Sequence, residues 1–401
     1  MLIMSLKLLQ LTATAVALAS SVHGHLIQKG QGSAFSVDAI TPDDPTQFDP
    51  AAEMQRLWAK FPTTGDVNAH QARTVKQHGS VKVNPSSNGL SYFVPTVIGN
   101  QTFNLIFDTG SADLWVYSNE SSPYQSLDHP TYVPTSSAEF LPNYNWSIKY
   151  AFGQSVSGVV FRDTVKAGPL TAHKQAVQAA TVIPFEFASD GILGLAFSAI
   201  NTVQPVKQKT LFETLMPTLK KKLFAANFRG DGKPSTWDFG YIDRSKFKGD
   251  ITYAPVVGGQ KYWSVDVGSY AVGSGSFTGS NETVGQVIID SGTSLVYLPT
   301  QVVKDYYSHI EGYVEQEGGS YTYPCNSTIP DFRFEVADTV LSIPGSTVNL
   351  TVYDSAKGLC AGAINTQLNM KYSVLGNIFM KNYYIIHSRE ESTPKVGFAS
   401  H

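Results

Sequence analysis

A five-residue block occurs twice in this chain, as Phe107-Asp108-Thr109-Gly110-Ser111 and as Ile289-Asp290-Ser291-Gly292-Thr293, 182 residues further on. In each copy the Gly of an apolar-apolar-Gly triplet follows the Asp after 86 residues, in Ile192-Leu193-Gly194 and in Val374-Leu375-Gly376. A motif repeated together with its internal spacing means two copies of one folding unit. Chance does not supply it. At average composition a single D-[ST]-G-[ST] match turns up in about 1 in 50 chains of this length, and here two stand at matched distances.

The residue types in the block suggest a chemistry. Apolar residues before each Asp read as a buried strand that delivers a carboxyl group to the interface between the copies. Thr109 and Ser291 are expected to hydrogen-bond locally and hold the turn. Gly110 and Gly292 allow the partner loop to come close. Ser111 and Thr293 are placed to donate hydroxyls to the carboxylates. Two facing carboxylates cannot both ionise cheaply, so one proton is shared and the pair offers a base and an acid. Such a pair can activate a water for attack on a carbonyl.

Other chemistries find little support. None of the nine His falls in H-E-x-x-H or another tight ligand pattern, so no metal is expected. Gly273-Ser274-Gly275 lacks the third Gly of a phosphate loop and reads as a hairpin. There is no G-x-S-x-G elbow. A glycosidase carboxylate pair has no need of two D-[ST]-G repeats.

The chain opens on Met1-Leu2-Ile3-Met4 with Lys7, then runs apolar over residues 8–19, a secretory signal pattern too short to span a membrane. Cleavage candidates are Ala17-Leu18-Ala19 and Val22-His23-Gly24. Residues 1–20 are therefore taken as signal peptide. An extracellular address is expected, with a vacuolar one as the lesser alternative. The only cysteines are Cys325 and Cys360; in an oxidising compartment an isolated pair favours one disulfide over two buried thiols. N-glycosylation sequons at Asn100, Asn119, Asn145, Asn281, Asn326 and Asn349 fit the same address. A net charge of −3 points to neither nucleic acid nor an anionic membrane as partner.

Residues 21–76 differ from the rest of the chain. They are polar, with one helical patch at 51–61 where Met54, Leu57, Trp58 and Phe61 share a face, and they read as a pro-segment. Beyond them strand signals crowd together at 92–98, 103–107, 114–117, 146–152 and 156–165. Helix patterns are few: 211–223 with Thr210 as cap, and 301–310 with Thr300 as cap. With 33 Gly and only 15% charged residues, against about 25% in average chains, the composition suits short strands and turns. The fold class expected is mostly β, in two lobes: 77–250 with the first Asp and 251–401 with the second.

At these residues the chain resembles the pepsin-like aspartic proteases, in particular the secreted fungal type of penicillopepsin and aspergillopepsin. The resemblance rests on residues 107–116 (FDTGSADLWV), 190–197 (DGILGLAF), 200–205 (INTVQP), 237–243 (WDFGYID) and 376–379 (GNIF). It implies a bilobal fold with a pseudo-twofold axis, a central cleft for an extended polypeptide substrate, and a β-hairpin flap. Asp108 and Asp290 would be the catalytic dyad, whose split acidities are a general property of that family. Tyr150 would be the flap tyrosine, with Phe152 and Gly153 beside it, and Trp115 would support it. Cys325 and Cys360 match the disulfide of the C-terminal lobe. The resemblance implies a pepstatin-sensitive endopeptidase that is made as a zymogen, works as a monomer and needs no cofactor. The Lys60-Phe61 pair resembles the Lys-aromatic pair with which the pro-segment blocks the dyad as an intramolecular inhibitor. A catalytically inactive binding or inhibitor protein of the same fold is the alternative, although such chains usually lose an Asp or the flap Tyr.

Four departures stand out. Ser291 replaces the commoner Thr and keeps the hydroxyl. Ala151-Phe152 replaces a Gly-Asp pair of the fungal flap, so an apolar preference beside the scissile bond is expected. Asn377 stands where many relatives carry Asp, from which we expect a pH optimum moved towards neutral; a neutral swap at the surface is the alternative. His387-Ser388 stands where an acidic residue is common, and the sequence offers no reading of it.

Overall fold

Alternation builds the first strands. In Tyr92–Ile98 every second residue is buried, and a two-residue turn through Gly99, in the left-handed region at φ 60°, returns the chain as Gln101–Asp108. The computed structural model describes residues 76–401 apart from 88, 122–128, 150–154, 185, 281 and 368–369. These residues lie in one unit, Thr74–His401. The signal peptide, all of the pro-segment before Lys76, Tyr150, Ala151, Phe152, Gly153 and Asn281 lie outside the described residues.

The chain is mostly β, in the pepsin-like fold. Its strands form a thirteen-stranded, a seven-stranded and a four-stranded sheet among the described residues. Two of the sheets contain the same arrangement. Gln101–Asp108 pairs in parallel with Gly191–Gly194, which pairs antiparallel with Leu114–Tyr117, which pairs in parallel with Leu170–Val182. In the second copy, Gly285–Ile289 pairs in parallel with Ser373–Leu375, then antiparallel with Val296–Leu298, then in parallel with Ile364–Thr366. The parallel pairing explains the repeated spacing. Asp108 lies opposite Gly194, and Ile289, just before Asp290, lies opposite Leu375, just before Gly376. Both glycines are forced by crowding: a Cβ on Gly194 would lie 2.5 Å from the Asp113 amide, and one on Gly376 would overlap the Thr293 and Leu295 carbonyls.

The C-terminal strands Tyr383–Ser388 and Lys395–Ser400 pair with each other, and Tyr383–Ser388 also pairs with Leu223–Asn227. They tie the end of the chain into the large sheet. The largest apolar core cluster among the described residues runs from Val81 to Phe398. A separate cluster of Trp115, Tyr117, Trp146, Val156, Val160 and Ile192 fills the base of the hairpin formed by Glu139–Lys149 and Ser155–Ala167.

Both helix expectations need correction. The first helix is Leu211–Leu215, with Thr210 accepting from the Glu213 amide as its cap. It stops well short of residue 223 because Pro217 has no N–H to continue the ladder, and Leu223 begins a strand. The second helix is Thr300–Ser308; Thr300 is its first residue, and the N-cap position is held by Pro299, which has no side-chain acceptor. Residues 273–275 do form a turn: Tyr270 and Thr278 exchange backbone hydrogen bonds across it.

Cys325 and Cys360 are disulfide-bonded, with Cα atoms 4.9 Å apart, at the ends of paired strands of the four-stranded sheet. Asn100, Asn119, Asn145, Asn326 and Asn349 are all exposed. Among the described residues no helix is long and apolar enough to cross a membrane.

Candidate active site

The strands Gln101–Asp108 and Gly285–Ile289 end where the two repeats meet, and each hands its Asp to a tight loop. Within each loop the carboxylate is held in the same way. Asp108 accepts from the Gly110 amide at 2.7 Å and the Ser111 hydroxyl at 2.5 Å. Asp290 accepts from the Gly292 amide at 2.8 Å and the Thr293 hydroxyl at 2.6 Å. The glycines make the approach possible: a Cβ on Gly110 would lie 2.5 Å from the Asp290 Cγ, and one on Gly292 would lie 2.6 Å from the Asp108 Cγ.

Thr109 and Ser291 do not act locally, as the sequence suggested. Each reaches into the opposite loop. Thr109 Oγ1 donates to the Ile289 carbonyl at 2.7 Å, and Ser291 Oγ donates to the Phe107 carbonyl at 2.6 Å. The backbone amides complete the latch: the Thr109 amide donates to Ser291 Oγ at 3.0 Å, and the Ser291 amide to Thr109 Oγ1 at 2.9 Å. Each hydroxyl thus accepts one bond and donates another, which fixes the two Asp side chains relative to each other from behind. Such a crossing between repeats cannot be read from either copy alone.

The two carboxyl groups share one environment. Burial pushes the Asp108 carboxyl well above its usual range, and the neighbouring Asp290 charge and hydrogen bond push it the same way. The Ser111 and Gly110 hydrogen bonds pull it down without cancelling the rise. Asp108 is buried and Asp290 half-buried, so the two faces of the pair differ in access to water.

Two further residues escaped the sequence reading. Trp263, fully buried, donates its indole N–H to the Leu195 carbonyl at 2.8 Å, while the Leu195 amide donates to the Asp108 carbonyl at 2.7 Å. The Trp263 carbonyl accepts from the Ile289 amide at 3.0 Å, so this one residue touches the supports of both Asp. Burial raises the Tyr262 phenol, and Tyr372, whose ring lies 5.8 Å away, and then the Asp290 and Asp108 charges push it the same way. The only available signal was an aromatic pair ahead of an alternating strand.

Asn377 is 2% exposed, so the surface alternative is excluded. Its amide nitrogen donates to the Ser291 carbonyl at 3.2 Å and the Leu90 carbonyl at 3.0 Å. Trp115, also fully buried, packs against Phe187 and Trp146 with ring centroids 4.9 and 6.4 Å away, under the hairpin that leads to residues 150–154.

The profile of the eukaryotic aspartyl protease family matches residues 91–401. The chain belongs to that family. It is an aspartic endopeptidase, a hydrolase, similar to named fungal enzymes. Penicillopepsin-2 of Penicillium janthinellum is 39% identical over 335 residues, 82% of each chain. Penicillopepsin-1 of Penicillium rubens is 40% identical over 347 residues, 85% of each. Aspergillopepsin-1 of Aspergillus oryzae is 35% identical over 396 residues, 97% of each.

Proposed function

We propose that this aspartic protease is a secreted endopeptidase that cuts polypeptides at acidic pH, with Asp108 and Asp290 as its catalytic dyad. The observation that carries the reading is the pair of latched loops, which holds two carboxyl groups together at the meeting of the repeats. The pair retains one proton, and the more deeply buried Asp108 is the better place for it. Ionised Asp290 takes a proton from water as that water attacks the peptide carbonyl, and Asp108 protonates the carbonyl oxygen. A neutral gem-diol results. Its collapse returns a proton to Asp108 and passes the Asp290 proton to the leaving nitrogen, so no covalent enzyme intermediate forms. Ser111 and Thr293 hold the carboxylates, and Gly110 and Gly292 keep the approach open.

In the same reading Tyr150 closes the flap over the substrate with Phe152 and Gly153, on a hairpin base supported by Trp115, and Phe152 favours apolar side chains beside the scissile bond. Residues 1–20 direct secretion. Residues 21–76 block the dyad through Lys60 until acid weakens that pairing. The mature monomer consists of a lobe from 77 to 250 and another from 251 to 401. The exposed sequons, Asn100, Asn119, Asn145, Asn326 and Asn349, carry sugar, as does Asn281.

Hydrolysis of haemoglobin across pH 3–7, with and without pepstatin, tests this beside Asp108→Asn. We expect pepstatin-sensitive cleavage with an acidic maximum, reduced at least a thousandfold in the variant. A folded, trimmed protein with no cleavage would instead indicate an inactive binding protein of this fold.

A further inference from the structure

The helix Asn377–Met380 begins on the Asp290 loop, where the Asn377 amide donates to the Thr293 carbonyl at 2.8 Å, and ends at Lys381. Lys381 lines a cavity of about 580 Å³ together with Arg229, Asp231, Ser346, Thr347 and His401. Of the two side-chain cations there, one is paired and the other, among the described residues, is not. The Arg229 side chain is 9% exposed and is already matched, with Nε donating to Asp231 at 3.1 Å and Nη2 to the same carboxylate. Lys381 is half-buried and has neither an ion-pair nor a hydrogen-bond partner among the described residues. Burial alone pulls its ammonium below the ordinary value. A cation withdrawn from water without a counter-charge is costly, and an anion entering the cavity would remove that cost. The hydroxyl of Ser346 is a neutral donor in the same wall, while that of Thr347 already donates to Asn382 Oδ1 at 3.4 Å.

We propose that this cavity is a binding site for a tetrahedral oxyanion, phosphate or sulfate, with Lys381 as its counter-charge. A second cationic concavity, lined by Arg162, Lys174, Lys207 and Lys209, differs in kind: its three lysines are exposed to solvent and need no counter-ion. It serves as the control.

Calorimetric titration of the mature enzyme with sodium sulfate and with inorganic phosphate at constant ionic strength tests the site. We expect one saturable site, weakened at least tenfold in Lys381→Gln, retained in Lys381→Arg and unchanged in Lys209→Gln. Sulfate also stabilises folded proteins by exclusion from their surface, so thermal shifts are read as the difference between wild type and Lys381→Gln. At an anion concentration a hundredfold above Kd, binding raises the folded-to-unfolded ratio about a hundredfold. Retained peptidase activity shows that Lys381→Gln is folded. A parallel titration with glucose 6-phosphate separates the sources: tighter binding than inorganic phosphate assigns the anion to a larger molecule, and equal or weaker binding to the free ion. No saturable binding, equal binding in Lys381→Gln, or loss in Lys209→Gln overturns the proposal.

Discussion

Ser291 supports the active site with a single oxygen. Removing it in Ser291→Ala strands the buried Phe107 carbonyl and the Thr109 amide. Each unsatisfied buried group costs about 1–3 kcal/mol. We expect Ser291→Ala to melt at lower urea and to lose kcat far more than it raises KM, while Ser291→Thr, which keeps the hydroxyl, retains both. His387 poses the opposite problem. It is fully buried, stacked on Phe224 at 4.5 Å with its edge against Trp263, and neither ring nitrogen has a hydrogen-bond partner among the described residues. Burial pushes its pKa from 6.5 down to about 3. The unfolded chain therefore binds a proton between those values and the folded chain does not, so the residue removes stability as pH falls through that window. From pH 7 to pH 4 the loss is about 3 kcal/mol. His387→Phe should remove that loss. Urea midpoints at the two pH values check it, and an equal fall in wild type and variant would refute it.

At the scale of elements, the disulfide joins two neighbouring strands of the four-stranded sheet, remote in sequence from both Asp loops. Closing a loop with a separation of 35 residues is worth about 3–4 kcal/mol in the chain-entropy model. The double variant Cys325→Ser/Cys360→Ser should lose about that much stability in denaturant melts and leave kcat/KM within a few-fold of wild type. A collapse of kcat/KM in protein that is still folded would show that this sheet supports the cleft more directly than its position suggests. The helices show where local reading stops. The 211–223 pattern has the right period, yet Pro217 and the pull of the strand Leu223–Asn227 cut it to Leu211–Leu215. Tertiary pairing outweighs a short run of helical propensity, which is a weak prior.

At the scale of the molecule, pH dependence joins the site to its surroundings. Asn377 uses both amide protons on carbonyls, one of them that of Ser291. An Asp there could donate only while protonated, so its folded pKa would lie above its unfolded value. The stability of that contact would be present in acid and lost as pH rises through the folded pKa. We expect Asn377→Asp to move the activity maximum towards acid and to narrow the neutral side of the profile. An unchanged optimum on haemoglobin would mean that the residue acts on packing alone.

Two Asp blocks at matched spacing, the alternating strands and the cysteine pair were legible in the sequence because each is a local pattern or a repeat of one. The same holds for the family, whose motifs are contiguous. Other features depend on residues 68 to 287 positions apart: Thr109 and Ser291 exchanging hydrogen bonds across the repeats, Trp263 bridging to Leu195, Asn377 reaching Leu90. The burial of His387 among Phe224 and Trp263 belongs with them. A sequence determines which side chains are available and how often they recur. Which donor meets which acceptor, and which charge loses its water, is decided only when distant strands close on one another.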